Sequence, residues 1–357
     1  MFSLGFFTIS QTLANARVMP QRYAYTAIIC SMLSMLFGVL FAYLGYGVVG
    51  VLFGITLGTA ISSLITFNSV WSNQYDKSDF NKNLFDKLLK FGIPIALATG
   101  IEEIIFLADR SMIALLQGAS QTGFYAVSYD LSQSSILMIM TAISLAAYPM
   151  ITKLEEQRNT TDSKLYIRNY FVLLLGISIP ALVGINLVGE DLIELIIDKK
   201  YHTSMIEILP WITTATFLLG IQFFYLNLAF QLSHKTIISL KVTVVVLIVN
   251  LLSNYVFILS WGIKGAAIAT LLSFAVGNIL SIFLGRKHYS LPFPIPEILK
   301  IIISSFIMAL VIFILKNNLE IHNVFLQIVA GVICYFIAAY LFNVHDLKSK
   351  IRIKRSL

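Results

Sequence analysis

Hydrophobic residues run along this chain in long blocks separated by short polar stretches. Blocks close to the roughly 20 residues that a helix needs to cross a bilayer lie at 23–43, 47–68, 91–116, 122–148, 169–188, 207–232, 236–259, 262–284, 297–315 and 324–343. A shorter apolar piece, from Phe2 to about Leu13, precedes them. The pattern predicts ten full transmembrane spans and one partial span.

The blocks lack the alternation of polar and apolar positions that membrane β-strands show. Residues 301–315, for example, read IIISSFIMALVIFIL, whereas a barrel strand alternates over about ten residues. In lipid, a segment must satisfy its backbone hydrogen bonds internally, as a helix does. Composition agrees, because hydrophobic residues make up 58% of the chain and charged residues 12%, against about a quarter in globular domains. We predict an all-α, polytopic membrane protein.

Basic residues are distributed unequally between the two sides of the predicted bundle. Twenty of the 25 Lys and Arg residues lie before the first full span, in every second connection after it, or in the C-terminal tail, all of which face the same side. Arg110 lies within a span. The other side receives Lys199, Lys200, Lys264 and Lys316. Since basic loops stay in the cytoplasm, the C-terminus is predicted to be cytoplasmic.

The sequence offers little support for a metal, a disulfide or a nucleic-acid partner. The five histidines are scattered without the spacing of metal ligands. Cys30 and Cys334 both lie inside apolar blocks, so we expect small packing residues rather than a disulfide. No basic run is interleaved with aromatic residues. We therefore expect no cofactor, no metal and no nucleic acid.

Two segments of the chain align without a gap. LAN…GYGVVGVLFGITLGTA (13–60) matches LAF…SWGIKGAAIATLLSFA (228–275), so that Gly47 and Gly50 fall on Gly262 and Gly265. Gly-x-x-Gly at a helix–helix turn is common packing chemistry, but two matching features at one offset favour a duplication. The repeat predicts four parts: an N-terminal lobe remnant (1–68), a cytoplasmic linker (69–90), a six-helix lobe (91–284), and two further helices with a basic tail (285–357).

The repeat also bears on the start of the chain. The second copy is preceded by four spans and the first by only part of one, so we expect about three and a half further helices upstream. The alternative is a cleaved signal peptide, with LANA (13–16) as its cleavage-like site. The first residues carry no basic n-region, which argues against it.

Several short motifs resemble those of one transporter family. They are Gly92-Ile93-Pro94, Asp109-Arg110, Gly123-Phe124-Tyr125 and Tyr148-Pro149, with a weaker match at DKKYHTSMIEIL (198–209). In order and spacing the chain resembles the Wzx-type O-antigen and capsule flippases of the multidrug/oligosaccharidyl-lipid/polysaccharide (MOP) superfamily, from their fourth helix onward. The resemblance implies a MATE-like two-lobe bundle in the bacterial inner membrane.

The resemblance also implies a substrate and partners. The substrate would be an undecaprenyl-pyrophosphate-linked oligosaccharide for surface polysaccharide, with its tail in membrane lipid and transport coupled to H⁺ or Na⁺. Other polysaccharide-assembly membrane proteins are expected as partners. Alternatives are a multidrug antiporter of the same superfamily, against which the two extra helices count, and an inactive remnant. We expect no enzyme, because the longest outer connection (189–206) lacks a nucleophile–base arrangement.

Charged and amide side chains inside the spans are the candidate site residues. They are Glu102, Glu103, Asp109 and Arg110 in one block, Asp130 in the next, and Asn250 with Asn254 in a later one. Ionisable groups in a span mark a pathway or an internal partner. One interpretation is an internal salt-bridge cluster. The other is a cavity lining, where Arg110 contacts the pyrophosphate or acidic sugars and a carboxylate takes up a coupling proton.

Overall fold

The computed structural model describes residues 2–17, 19–70, 81–157, 160–196, 202–317 and 323–344, and within these ranges it contains helices and turns but no β-strand. The helices are α1 (Phe2–Ala16), α2 (Pro20–Phe41), α3 (Gly47–Val70), α4 (Lys82–Gln117), α5 (Ala119–Ser132), α6 (Met138–Glu156), α7 (Thr160–Ile196), α8 (His202–Ile221), α9 (Leu228–Leu232), α10 (Thr236–Arg286), α11 (Ile295–Asn317) and α12 (Val324–Leu341). Single π-helical turns at Ala42–Tyr46, Gln133–Leu137 and Gln222–Leu226 follow α2, α5 and α8.

Glycines divide the two longest apolar stretches. Gln21–Phe67 and Thr236–Arg286 contain 47 and 51 residues, which as straight helices would be about 70 and 77 Å long, more than twice the thickness of the bilayer core. Gly45 (φ 86°) and Gly47 (φ 55°) break the first and Gly262 (φ 58°) breaks the second, in a conformation that residues with a Cβ avoid. The eight apolar helices in the described ranges therefore provide ten spans, which confirms the predicted polytopic helical fold.

Met1–Phe85 together with Leu145–Lys153 forms one compact unit. In it, α2 and α3 approach closely because α3 has glycines at the contact. A Cβ on Gly54 or Gly58 would lie 2.5 Å from backbone atoms of α2. Small residues of this kind are what allow membrane helices to pack backbone against backbone. The Ser63 hydroxyl donates to the backbone carbonyl of Ser3 (2.8 Å), fixing α1 on α3.

Asp86–Ser144 together with Leu154–Leu357 forms the second unit, called here the larger unit. Helix α8 packs against α5, α7 and α10, while α11 and α12 pack against each other and against α7. Its core includes the fully buried side chains of Ile113, Ile212 and Ile258. The four-part division predicted from the repeat stays a prediction.

Part of the charge pattern lies outside the described residues. This applies to Lys77, Arg158, Lys199 and Lys200, and to the basic tail at 348–355. The cytoplasmic position of the C-terminus therefore stays a prediction. Cys30 and Cys334 are both free and half-buried.

Candidate functional site: a buried polar cluster around Asp109

Helix α4 presents two carboxylates on its buried face. Glu102, Ile105, Asp109 and Ile113 recur every three or four residues and are buried, as expected for one face of a helix. Asp109 is fully buried and Glu102 is 6% exposed. The face of α4 that packs inside the larger unit is thus apolar except at these two positions.

Three neutral side chains donate hydrogen bonds to Asp109. The amide nitrogen of Asn254 lies 2.6 Å from Oδ1. The hydroxyls of Tyr125 and Thr270 lie 3.0 and 2.9 Å from Oδ2. These donors come from α5 and from both halves of α10, so the carboxylate joins three segments of the larger unit at one point.

Further oxygens surround this carboxylate. The Asn254 nitrogen also donates to Oδ1 of Asn250 (3.0 Å), and the Thr270 hydroxyl lies 2.9 Å from the carbonyl oxygen of Ala266. Asn250 and Asn254 are fully buried, and Oδ1 of Asn254 has no hydrogen-bond partner among the described residues. Rotating this amide by 180° would exchange its nitrogen for that unpaired oxygen beside Asp109.

The cluster carries a carboxylate without a cationic partner. None of the ion pairs within the described ranges involves Asp109. Burying an unpaired charge is costly, and a buried carboxyl either takes up a proton or is balanced by a cation. Carboxylate, amide, hydroxyl and backbone oxygens are the ligands that small hard cations prefer. The arrangement can therefore hold a proton or a small cation.

The remaining candidate residues lie apart from this cluster. Arg110 donates to Oδ1 of Asp130 (3.0 Å), with the two side chains 40% and 68% exposed. Glu103 is exposed. Arg110 thus pairs with Asp130 of α5. It does not pair with Glu103, although Glu103 lies two turns earlier on the same helix. The candidates therefore separate into a buried group, the exposed ion pair of Arg110 and Asp130, and the exposed Glu103.

Tyr125 and Thr270 are site residues that sequence reasoning missed. In the sequence, Tyr125 stands out only as part of the Gly123-Phe124-Tyr125 motif. Their hydroxyls lie 3.1 Å apart and both contact Asp109. The sequence does contain a signal for Thr270. Thr270 follows Ala266 by four residues, just as Asn254 follows Asn250, and this spacing places the two members of each pair on one helix face.

An apolar groove of about 440 Å³ lies elsewhere in the larger unit, between α7, α11, α12 and the π-turn after α5. Its lining includes the buried side chains of Met308, Ile312 and Tyr335. Val332 and Phe336, which are 47% and 61% exposed, lie at its rim. The groove is therefore open to the surroundings of the protein through apolar side chains.

Curated relatives match about two thirds of this chain. It is 24% identical over 230 residues to the probable low-salt glycan biosynthesis flippase Agl15 of Haloferax volcanii, covering 64% of this chain and 48% of Agl15. It is 30% identical over 232 residues to the probable multidrug resistance protein YpnP of Bacillus subtilis, covering 62% and 50%. The chain thus spans about half the length of these relatives.

Solved structures share the fold. The lipid II flippase MurJ in its inward closed conformation superposes with a TM-score of 0.64 at 20% identity, covering 96% of this chain and 72% of MurJ. A MATE transporter in the straight conformation superposes with a TM-score of 0.69 at 16% identity, covering 80% and 66%. These likenesses confirm the MATE-like helical fold.

A protein-family model matches the N-terminal part of this chain and identifies its family. The model described as "Polysaccharide biosynthesis protein" matches residues 1–206, more than half of the chain. This stretch includes α4 and α5, and with them Asp109, Arg110, Tyr125 and Asp130. The chain belongs to this family of polysaccharide biosynthesis proteins.

Proposed function

We propose that this protein is a Wzx-type flippase that moves undecaprenyl-pyrophosphate-linked oligosaccharide units across the bacterial inner membrane, with its C-terminus in the cytoplasm. Membership of the polysaccharide biosynthesis family supports this proposal. So does similarity to a probable glycan biosynthesis flippase. The fold is that of a helical transporter.

The observation that carries the proposal is the apolar groove of the larger unit. A lipid-linked substrate has a hydrocarbon tail that must stay in an apolar environment while its headgroup crosses. The groove offers apolar side chains from floor to rim, including Met308, Ile312, Val332 and Phe336. Burial of apolar surface is worth roughly 25 cal/mol per Å². The groove would hold part of the tail beside the path of the headgroup.

The exposed ion pair would recognise the headgroup. Arg110 remains 40% exposed although it is paired with Asp130. Guanidinium groups bind phosphate oxygens through two parallel hydrogen bonds. A pyrophosphate carries more charge than the Asp130 carboxylate and would compete for Arg110.

The Asp109 cluster would couple transport to H⁺ or Na⁺. Rotation of the Asn254 amide by 180° would turn its unpaired oxygen towards the carboxylate of Asp109, and the two oxygens could then share such an ion. The oxygens of Asp109, Asn250, Asn254, Thr270 and Ala266 would hold it. Its charge would balance Asp109 and so favour the packing of α4 against both halves of α10.

Multidrug transport is the second candidate, because the chain is 30% identical to YpnP. The flippase and multidrug-exporter hypotheses assign different roles to α11 and α12. These helices form one wall of the groove, and a lipid tail needs that wall whereas a soluble drug does not. Substitutions in the groove would therefore impair a flippase and spare a drug exporter.

Export in a bacterial strain that lacks its own O-unit flippase tests the proposal. The chain is expressed alone and in a form extended through its upstream reading frame, and surface polysaccharide is stained. Restoration by either form supports the proposal. If neither form restores staining at normal membrane levels with any of several O-unit types, while drug resistance rises, the multidrug reading replaces it.

A further inference from the structure

Small and polar residues form a file along one face of the second half of α10. Thr270, Ser273, Gly277 and Ser281 are all buried, and their spacing of three or four residues places them on one face. Thr270 belongs to the Asp109 cluster. Ser281 lies about 16 Å further along the helix, at roughly 1.5 Å per residue. The file therefore leads from the cluster towards the end of α10 at Arg286.

Three oxygens beside this file lack a hydrogen-bond partner within the described part of the chain. They are Oε1 of Gln222, Oδ1 of Asn278 and Oγ of Ser281, in side chains that are 3%, 7% and 1% exposed. Buried polar atoms in proteins are almost always paired with protein or with ordered water. Asn278 and Ser281 belong to α10, and Gln222 packs against α10 at Gly277, so the three unpaired oxygens indicate a common ligand.

The amide of Gln222 occupies the space beside Gly277 in this file, together with the side chain of Val246. Gln222 belongs to the π-turn after α8, and such turns occur often at functional sites. A Cβ on Gly277 would lie 2.6 Å from Oε1 of Gln222. The amide thus enters space that only a glycine at this position leaves free, and its unpaired oxygen points at the file.

A small cavity continues the file to the end of the helix. Ser281 lines it together with Arg286 and Tyr289. Its volume of about 10 Å³ is close to what one water molecule needs. Arg286 is exposed and belongs to the basic connections that the charge pattern predicts to lie in the cytoplasm, so the cavity would open to the aqueous phase there.

We propose that this file is a hydrated path that connects the Asp109 cluster with the aqueous phase at Arg286. Its ligand is water, which donates to the unpaired oxygens of Gln222, Asn278 and Ser281. Unpaired backbone and side-chain polar groups are not tolerated in a lipid-embedded bundle, and a line of water satisfies them. The path deepens the proposed coupling role of Asp109 and rests on it, because it gives the coupled ion a route to one side of the membrane.

Cysteine labelling in membranes tests the path. Cys30 and Cys334 are first replaced by serine, and single cysteines are then introduced as Ser281→Cys and Ser273→Cys. Ile279→Cys is the matched control, because Ile279 lies at the same depth of α10 but is 52% exposed on the apolar face. The probe is N-ethylmaleimide, which reacts with the thiolate that forms only where water is present.

The path predicts that Ser281→Cys is labelled at least tenfold faster than Ile279→Cys, with Ser273→Cys in between. Gly277→Ala, which displaces the Gln222 amide, should slow labelling at position 273 at least fivefold and leave position 281 unchanged. Equal rates at 281 and 279 would overturn the inference, as would labelling at 281 without labelling at 273. The assay needs no transport, so a loss of export with this labelling pattern intact would count against the proposed function alone.

Discussion

The side-chain nitrogen of Asn254 lies 2.6 Å from Oδ1 of Asp109, although 145 positions separate the two residues in the chain. Both side chains are fully buried, so this contact joins α4 to α10 inside the larger unit. Every donor to Asp109 in the described residues is neutral. The negative charge therefore remains unbalanced, and this is the reason to place a proton or cation here.

Asp109→Asn should abolish coupling without unfolding the protein. The amide keeps the size of the carboxyl group and one acceptor oxygen for Asn254, and its nitrogen can donate to the hydroxyls of Tyr125 and Thr270, but it carries no charge to balance. We expect export to fall at least tenfold at unchanged membrane abundance, measured by surface-polysaccharide staining and immunoblotting. Asp109→Leu is the contrast, because it leaves Asn254 and Tyr125 without their acceptor and should lower abundance as well, at about 1–3 kcal/mol per unsatisfied group. Export at the wild-type level with Asp109→Asn would refute the coupling role.

Thr270→Val tests whether the hydroxyl at this position is an ion ligand. Valine keeps the branched shape and removes the oxygen that lies 2.9 Å from Asp109. One lost ligand is worth roughly 1–2 kcal/mol, or about tenfold in affinity. The Na⁺ concentration or proton activity for half-maximal export should rise about tenfold, whereas Thr270→Ser should shift it less than threefold. An equal effect of both substitutions would assign Thr270 to packing instead.

Arg110→Ala should abolish export, and Arg110→Lys should keep part of it because the positive charge remains. If Arg110 only stabilises the fold, its loss acts through the ion pair with Asp130. An exposed pair contributes at most about 1 kcal/mol, so the melting temperature should change little. Asp130→Asn is the control that breaks the same pair and leaves the base in place. Wild-type export by Arg110→Ala at equal abundance would exclude a role in headgroup binding.

Ionisation of the Tyr289 hydroxyl should lower the free energy of unfolding of the larger unit at alkaline pH. Its hydroxyl donates to Glu155, which also accepts from Ser163 (2.6 Å). Burial, and then the Glu155 carboxylate, raise the pKa of Tyr289 from its ordinary value of 10 to about 12. Because the folded-state pKa is the higher one, this stabilisation is complete below pH 10 and is lost between pH 10 and 12.

Tyr289→Phe should remove that part of the alkaline destabilisation. In detergent at pH 8, the variant should be less stable by about 0.5–1.5 kcal/mol, the usual net value of one hydrogen bond. The difference between the two proteins should shrink at pH 11. Thermal unfolding at both pH values measures it. A difference that grows at pH 11 would show that the pKa is shifted in the opposite direction.

Gly262→Ala should destabilise the protein through the backbone. Gly262 has φ 58° and ψ −139°, a conformation that costs residues with a Cβ roughly 1–3 kcal/mol. Gly100→Ala is the matched control, because Gly100 is helical and its added Cβ meets no atom within 4 Å. That substitution should stabilise by up to about 1 kcal/mol. Equal melting temperatures for the two variants would mean that the chain passes between its spans without the glycine break.

Hydropathy predicted the spans because lipid leaves the backbone no other hydrogen-bond partners. It predicted the helix ends less well. The block at 169–188 lies within α7, which runs from Thr160 to Ile196. Helices continue past the bilayer into polar residues, and hydropathy records only the part inside. The breaks between consecutive spans were predicted from the repeat, which placed Gly47 and Gly262 at the starts of spans. Both glycines have a positive φ.

The site was only partly predictable. Asp109, Asn250 and Asn254 were found because polar side chains in an apolar span are conspicuous. Tyr125 and Thr270 were not, because hydroxyl side chains are ordinary in membrane helices and usually bond within their own helix. One sequence does not show which helices are neighbours. The contact between α4 and α10 that defines the cluster therefore required the structure.

Translocation of a lipid-linked oligosaccharide in proteoliposomes measures flippase activity itself. The purified chain is reconstituted with fluorescent undecaprenyl-pyrophosphate oligosaccharide, and a membrane-impermeant glycosidase added outside reports the accessible fraction. A flippase should raise the accessible fraction from about half to nearly all, and Asp109→Asn should prevent the rise when an ion gradient is applied. If the fraction stays at about half with the wild-type protein while the same vesicles extrude a cationic dye, the protein is a multidrug exporter and not a flippase of lipid-linked oligosaccharides.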